Sequence, residues 1–386
     1  MKPATTSLAP LAITMGDAAG IGPEIIVKAY QLQPALLEAS FVVGDIGALR
    51  RAAALLARPG HPAWPIAEIV NPQQALDLPP RCIAVLQVGS PLEAVPWGAV
   101  NARAGALAGQ CVEWAADAAL RGEVCGLVTA PLHKEALHAA GSPYDKFPGH
   151  TEILQERVAR FLGRPVAEVP VRMMLANDEL RTVLVSIHIS LRDAIEAVTC
   201  ANVLQTVMIA HHALIPVLGR EPRIAVAGLN PHAGEGGLFG REEIDFVIPA
   251  IRAACAQGVL ASGPWSPDTV FMRARHQVGR VDEFDVVVAM YHDQGLIPVK
   301  YLGVEQGVNV TLGLPLVRTS PDHGTAFDIA GKAKADAGSF TASIFECARI
   351  IHARQGYTDM RLNPLKKISA RMFAGAVDER LYENEG

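Results

Sequence analysis

Short, almost continuously apolar runs recur along the chain, and they constrain its fold more than any other feature of the sequence. Seven of them lie at 11–15, 41–43, 83–88, 126–129, 182–189, 224–228 and 286–290. Strands buried on both faces have this uninterrupted pattern, whereas strands with one solvated face alternate. Helical stretches lie between them, at 104–121, 151–160, 191–218 and 242–256. The alternation predicts an α/β protein with a mixed or mostly parallel sheet.

Five of these runs end in polar clusters. The clusters are MGDAAGIGPE, TAPLHK, SIHISLRD, GLNPHAGEGG and AMYHDQG. In open α/β sheets, ligands bind beyond the carboxyl ends of the strands. We therefore expect the five clusters to line one shared cleft.

Composition and charge exclude several classes of protein. Half of the 386 residues are apolar and 19% are charged, which excludes a disordered chain. A net charge of −5 provides no basic field for a nucleic-acid backbone, so we expect no nucleic-acid partner.

The cysteines and the N-terminal segment bear on the compartment. The six cysteines form no CxxC pair, which predicts reduced thiols in a cytosolic protein. The first residues lack the apolar core of a signal peptide, and no uninterrupted apolar run is long enough to span a bilayer. We expect a soluble, cytoplasmic protein with no membrane partner.

Three of the twelve histidines lie at or just past the end of an apolar run. They are His188, His232 and His292. Three imidazoles can hold a divalent cation and leave a coordination position open for a substrate oxygen. Their separations match no local metal motif, so three unrelated histidines at a sheet edge are the alternative.

Two segments suit an anionic small molecule. Lys300, Asn309 and Arg318 lie in a loop-rich stretch, and Gly149, His150 and Thr151 lie at a predicted helix start. The turn MGDAAGIGPE also feeds a helix, with Pro23 well placed as its first residue. It is neither GxGxxG nor a Walker loop, and a purely structural turn explains it equally well.

Taken together, these motifs resemble one enzyme family. The matching stretches are ITMGDAAGIGPEI, PGHTE, LVSIHISLRD, GLNPHAGEGGLFGREE, GPWSPDTVF, AMYHDQG and GVNVTLGLPLVRTSPDHGTAFDIAG, in this order. The chain is similar over residues 11–340 to the 4-hydroxythreonine-4-phosphate dehydrogenases of pyridoxal phosphate biosynthesis. Their catabolic relatives act on four-carbon phosphorylated sugar acids.

The resemblance implies roles for particular residues. The metal ligands fall on His188, His232 and His292, with Zn²⁺ favoured and Mg²⁺ or Co²⁺ as alternatives. Substrate contacts fall on His150, Thr151, Lys300, Asn309 and Arg318, and the catalytic positions on Asp268 and Lys300. The cofactor, NAD or NADP, falls on His323, Gly324, Thr325 and Ala326.

The resemblance also implies a two-lobed α/β/α fold like that of the isocitrate and isopropylmalate dehydrogenases, with the active-site cleft between the lobes. We expect a cofactor-side lobe at 1–140 plus 320–386, and a substrate, metal and dimerisation lobe at 141–319. The implied partners are a small phosphorylated hydroxy acid and a second copy of the chain, with the active site at the subunit interface.

The implied reaction is oxidation of the secondary hydroxyl of 4-phosphohydroxy-L-threonine, followed by decarboxylation to 3-amino-2-oxopropyl phosphate. Departures from the family pattern leave the substrate open. They are the insertion DKF at 145–147, Leu238 in place of a histidine, IHISLRD in place of THLPLRD, and a C-terminal extension with an acidic end, expected to be a surface helix.

Three alternatives therefore remain. The first is a D-threonate or D-erythronate 4-phosphate dehydrogenase, the second an aromatic cis-dihydrodiol carboxylate dehydrogenase, and the third an inactive binding protein that contains a metal.

Overall fold

The computed structural model describes residues 9–60, 62–279, 281–303 and 305–355. The strands in these ranges are β1 (Leu11–Thr14), β2 (Ser40–Gly44), β3 (Ile66–Ile69), β4 (Ile83–Gln87), β5 (Leu127–Thr129), β6 (Arg172–Ala176), β7 (Arg181–Leu184), β8 (Ile224–Ala227), β9 (Ala261–Trp265), β10 (Val286–Ala289), β11 (Val308–Leu312) and β12 (Arg318–Pro321). The α-helices are α1 (Gly22–Leu32), α2 (Ile46–Leu56), α3 (Ala102–Leu120), α4 (Lys134–Ala139), α5 (His150–Leu162), α6 (Leu191–Glu196), α7 (Cys200–Leu218), α8 (Ile248–Cys255), α9 (Val270–Ala274), α10 (His292–Tyr301) and α11 (Gly338–Gln355).

The described residues fall into two compact units. The first unit contains the residues up to Val166 and those from Pro315 onward, and the second contains Ala167–Leu314. In the first unit the strand order is β3-β4-β2-β1-β5-β12, and every neighbouring pair is parallel. Strands β1, β2 and β5 are buried along their whole length, as their apolar runs require. Strand β12 is also buried throughout, although its sequence is RTSP.

The second unit has a mixed sheet of order β11-β6-β7-β10-β8-β9. Strands β11, β6 and β7 pair antiparallel, whereas β7, β10, β8 and β9 run parallel. Apolar side chains from these strands form a core with α9 and α10, and Leu175, Leu184 and Val287 lie at its centre without solvent exposure. The expected α/β class with a mixed or mostly parallel sheet is confirmed.

The residue boundaries of the two units differ from those expected for the two lobes. The expected lobe boundary lies at residue 140, whereas the structure keeps α5 in the first unit. The reason is side-chain contact with α3, because the Arg157 guanidinium forms an ion pair with Asp117 and the Tyr144 hydroxyl donates to Glu113 at 2.8 Å. The functional labels of the lobes stay predictions.

All seven predicted strands are confirmed, although the predicted run at 182–189 ends as a strand at Leu184. The predicted helix at 191–218 is two helices, since Thr199 caps α7 by accepting a hydrogen bond from the Asn202 amide at 3.2 Å. The composition of the Pro-rich residues 57–80 predicts a surface excursion, and the structure shows that they contain β3, which pairs with β4. The C-terminal acidic end lies outside the described residues.

Among the described helices, α7 alone is long and apolar enough for a membrane span, with a mean hydropathy of 1.4 over its most apolar window. It places Val203, Val207, Ala210 and Leu214 on one buried stripe, and it packs against α8 and against strands of its own unit. This is the arrangement of an amphipathic helix that covers a sheet.

Candidate functional site

Four neighbouring parallel strands of the second unit each lead into a predicted site residue. In sheet order, β7 is followed by His188, β10 by His292, β8 by His232 and β9 by Asp268. Each of these residues comes within five positions of its strand end. Parallel neighbours bring their carboxyl ends to one edge of the sheet, so these four residues follow strand ends at the same edge. The shared cleft expected for the five polar clusters stays a prediction.

His188 and His292 lie next to each other. Their ring centroids are 5.9 Å apart. Two imidazoles on one tetrahedral Zn²⁺ ion would have centroids about 5 Å apart, given Zn–N distances near 2 Å. His292 also contacts the Asp293 carboxylate, with 2.7 Å between Nδ1 and Oδ1. A ligating histidine commonly donates its second ring N–H to a carboxylate, which leaves Nε2 for the metal.

His232 lies on a rare backbone segment. His232, Ala233 and Glu235 have φ values of 52°, 53° and 43°. The φ values of Gly234 and Gly236 are also positive, so the whole segment is left-handed. A left-handed turn costs about 1–2 kcal/mol for each residue with a Cβ, so the surrounding structure must hold it.

Asp268 lies near His232. The pKa of its carboxyl is below the usual value because the Ser266 hydroxyl donates to it at 2.5 Å and because His232 is close. In the described part of the chain, no three His, Cys, Asp or Glu side chains are grouped closely enough to hold a metal ion. The three-histidine assignment therefore stays a prediction.

Lys300 and Asn309 belong to the same unit. Lys300 lies in the last turn of α10, two turns beyond His292. Asn309 lies on β11, and its Oδ1 atom is shielded from solvent with no hydrogen-bond partner in the described structure. A buried amide oxygen without a partner is expected to be satisfied by a ligand or by water.

The first unit contains a separate cationic site around Arg318. The guanidinium is buried, and desolvation lowers the pKa of Arg318 to about 10. Its Nε and Nη2 atoms donate to the Thr129 hydroxyl at 3.1 and 2.7 Å. Thr129 ends β5 and Arg318 begins β12, and these strands are parallel neighbours.

His150 lies beside Arg318. Burial and the charge of Arg318 hold the pKa of His150 well below its usual value, so its ring is neutral near pH 7. Its Nε2 atom is shielded and has no partner in the described structure. His150 and Thr151 also begin α5, where free backbone N–H groups attract anions. A buried cation, a neutral ring and a helix start together fit a phosphate or carboxylate.

The expected cofactor segment packs on the MGDAAGIGPE turn. The Ile21 amide donates to the Thr325 carbonyl at 3.0 Å, and a Cβ at Gly20 would lie 2.9 Å from the Thr325 side chain. The Nε2 atom of His323 is shielded without a described partner. The role of His323, Gly324, Thr325 and Ala326 stays a prediction, but the two motifs are in contact.

Sequence reasoning missed several residues of these sites. Asp293 had a local signal, since it directly follows a predicted ligand. Thr129 had a weaker one at the end of a predicted strand. Glu243 and Gln294, which contact the loop of His232, had none, because their partners are set by the fold.

Comparison with known proteins places these sites in context. The family model described as "Pyridoxal phosphate biosynthetic protein PdxA" matches residues 37–347. The chain is 50% identical over 341 residues to a 4-hydroxythreonine-4-phosphate dehydrogenase of Beijerinckia indica, covering 88% of this chain and 95% of that protein. It is 46% identical over 337 residues to a D-threonate 4-phosphate dehydrogenase of Salmonella typhimurium, covering 86% and 96%.

Among solved structures, the fold is similar to that of a 4-hydroxythreonine-4-phosphate dehydrogenase from Klebsiella pneumoniae. The TM-score is 0.75 at 43% identity, and the match covers 89% of this chain and 98% of that one.

Proposed function

The chain belongs to the PdxA family, and from this premise we propose that it oxidises the secondary hydroxyl of 4-phosphohydroxy-L-threonine with NAD or NADP. The protein is an oxidoreductase that acts on a CH–OH group and uses a nicotinamide cofactor. The product is a β-keto acid, which loses its carboxylate as CO₂ to give 3-amino-2-oxopropyl phosphate. The observation that carries the proposal is the placement of His188, His292, His232 and Asp268 after four adjacent parallel strands.

We propose that His188, His232 and His292 ligate a divalent cation, with Zn²⁺ favoured over Mg²⁺ and Co²⁺. The donor set fits, since imidazole nitrogens suit Zn²⁺ and two of the rings lie 5.9 Å apart. When bound, such a cation would supply Lewis-acid stabilisation of developing negative charge on the hydroxyl oxygen, and a nicotinamide would supply the hydride acceptor.

The remaining predicted residues bind and orient the substrate or move its proton. Arg318, His150 and Thr151 bind the phosphate, which the buried guanidinium and the helix start favour. Asn309 contacts the amino-acid end of the substrate, and its Oδ1 atom accepts a hydrogen bond from the ammonium group. Asp268 and Lys300 transfer the proton of the reacting hydroxyl, and the ionised Asp268 carboxylate accepts it.

The protein acts as a homodimer. In the second unit, the loops and helices that follow β7, β8, β9 and β10 carry exposed apolar side chains, which are Ile189, Leu191, Leu238, Phe239, Met272 and Ile297. Exposed apolar side chains concentrated in one set of loops are typical of a protein interface. Residues of both copies then contribute to one active site, and the six unpaired cysteines fit a cytoplasmic location.

The test is reduction of NAD and NADP by the purified enzyme with added Zn²⁺, Mg²⁺ or Co²⁺. We expect turnover of 4-phosphohydroxy-L-threonine that a chelator abolishes. His232→Ala should lower kcat/KM by more than about 100-fold, because two imidazoles hold a cation poorly. His276→Ala, a surface histidine paired with Asp282, is the control. Chelator-resistant activity in His232→Ala would refute the metal assignment.

A second candidate substrate is D-threonate 4-phosphate. It is supported by the name of the Salmonella relative, a D-threonate 4-phosphate dehydrogenase that is 46% identical to this chain. Leu238, which replaces a histidine of the biosynthetic pattern, is 74% exposed in the loop after His232. The same assay decides between the two substrates by their kcat/KM ratio. A cis-dihydrodiol carboxylate is the third arm, and no turnover on any substrate would favour an inactive binding protein.

A further inference from the structure

The strand ends that carry the predicted metal ligands are joined by side-chain hydrogen bonds. The Ser186 hydroxyl, two residues before His188, donates to the Met290 carbonyl at 3.1 Å. Gln294 then bridges two loops: its Oε1 accepts from the Met290 amide at 2.7 Å, and its Nε2 donates to the Gly228 carbonyl at 2.8 Å. One side chain therefore links the loop of His292 to the loop of His232.

Glu243 holds the loop of His232 from its other side. This carboxylate is 1% exposed. Its Oε1 accepts from the backbone amides of Leu229 and Asn230 at 2.7 and 2.8 Å, and its Oε2 accepts from the Asn230 side chain at 2.9 Å. A buried carboxylate with three donors fixes the backbone immediately before the left-handed turn.

The turn leaves little freedom for any other arrangement. A Cβ at Gly234 would lie 2.7 Å from Glu243 Oε2, so the carboxylate and the backbone of the turn are in close contact. A strained backbone segment persists only where the surrounding structure holds it in place, as Glu243 does here. His232 is the first residue of this segment, so the same contacts fix the position of His232.

We propose that Glu243 and Gln294 are positioning residues for metal binding. Glu243 holds the turn that presents His232, and Gln294 sets the distance between the loops of His232 and His292. Neither side chain is a ligand. The inference rests on the proposed metal site, because it assigns these residues to the geometry of that site.

The experiment measures Zn²⁺ affinity directly, by competition with a chromogenic chelator, on the full-length protein. The variants are Glu243→Gln and Gln294→Met. The first removes the charge and turns an amide donor toward Asn230, and the second removes both hydrogen bonds at nearly constant shape. Each substitution should weaken Zn²⁺ binding about 10–100-fold. Metal affinity usually falls by this factor when a residue that supports the ligands by hydrogen bonding is replaced. Saturating Zn²⁺ should restore most of their turnover, which a general loss of structure would not allow.

Asp245→Asn is the matched control. It removes the same charge two residues from Glu243, where the carboxylate pairs with Arg241 on the surface. Its Zn²⁺ affinity should equal that of the wild type. Melting temperatures of the metal-free proteins identify any variant that fails to fold, and Gln294→Met then decides the question if Glu243→Gln is unstable.

The two possible failures are distinguishable. If the wild type binds Zn²⁺ in a manner that depends on His232, but folded Glu243→Gln and Gln294→Met bind it equally well, the positioning role is wrong and the metal site stands. If neither the wild type nor His232→Ala binds Zn²⁺, the proposed metal site itself is wrong.

Discussion

Thr129 shows how one uncharged side chain can control a buried charge. Its hydroxyl accepts both the Nε and the Nη2 hydrogen bonds of Arg318. Thr129→Val keeps the shape and removes the acceptor, so the guanidinium loses the contact that orients it. We expect KM for a phosphorylated substrate to rise about tenfold, equivalent to a charge-assisted hydrogen bond of about 1.4 kcal/mol, with a smaller change in kcat.

Thr319→Val is the control for this measurement. Thr319 is equally buried on the neighbouring strand, but its hydroxyl donates to the Ser343 carbonyl. Steady-state kinetics of both variants separate orientation of Arg318 from general loss of packing. Equal KM values for Thr129→Val and the wild type would contradict the role given to Thr129.

His150 makes the stability of the fold depend on pH. Its pKa in the folded protein is lowered by burial and by Arg318, whereas the unfolded chain takes up the proton near pH 6.5. Below about pH 6.5 the unfolded state therefore binds more protons than the folded state. The free energy of unfolding then decreases as the pH is lowered, until the pH reaches the pKa of His150 in the folded protein.

His150→Gln removes this contribution. Urea unfolding at about pH 7.5 and about pH 5.5 should show a smaller difference for the variant than for the wild type. His276→Gln, at an exposed histidine paired with Asp282, provides the control. An unchanged difference in His150→Gln would mean that the pKa of His150 is the same in the folded and the unfolded protein, which would contradict the lowered pKa.

At the level of elements, the packing of α3 on α4 depends on a missing side chain. A Cβ at Gly105 would lie 2.0 Å from the Ala136 carbonyl oxygen, which belongs to backbone and cannot move aside. Gly105→Ala should therefore destabilise the protein by about 1–3 kcal/mol, although alanine is the better helix former. Urea denaturation tests this, with exposed Arg103→Ala on the same helix as the control; a stabilised Gly105→Ala would refute the close contact.

Elements with strong local signals were predictable, and elements defined by their neighbours were not. Strands such as β1 and β10 are almost entirely apolar, so their sequences alone indicate burial on both faces. Strands β9 and β12 have the sequences ASGPW and RTSP, which mix polar, small and proline residues, and their pairing with β8 and β5 makes them strands. Strand β3, with the sequence IAEI, is too short to stand out and is defined by its pairing with β4.

The same distinction applies to the sites. The histidines after β7, β8 and β10 were predictable because each follows a recognisable strand. Gln294 was not, because its partner Gly228 lies 66 residues away and the amide has no motif. The left-handed turn at His232 was also missed, since no local rule favours φ above zero at alanine and glutamate.

For the whole molecule, the proposed homodimer is testable by mass. Light scattering after size exclusion should give twice the chain mass of 41.0 kDa. Leu238→Glu places a charge among the exposed apolar side chains after β8 and should shift the protein toward the monomer. Leu260→Glu, at a 53% exposed leucine before β9, should stay dimeric. A monomeric wild type would contradict the proposal.

The connectivity of the first unit has a consequence for synthesis on the ribosome. Strand β12 completes the sheet of this unit, yet it is translated after the entire second unit. Thr129 and Arg318 are 189 residues apart in the chain. At a synthesis rate of about 5–20 residues per second, Arg318 is therefore added roughly 10–40 s after Thr129. During that interval β5 presents an open edge, and the emerging chain must keep it from pairing with another polypeptide until its own last strand arrives.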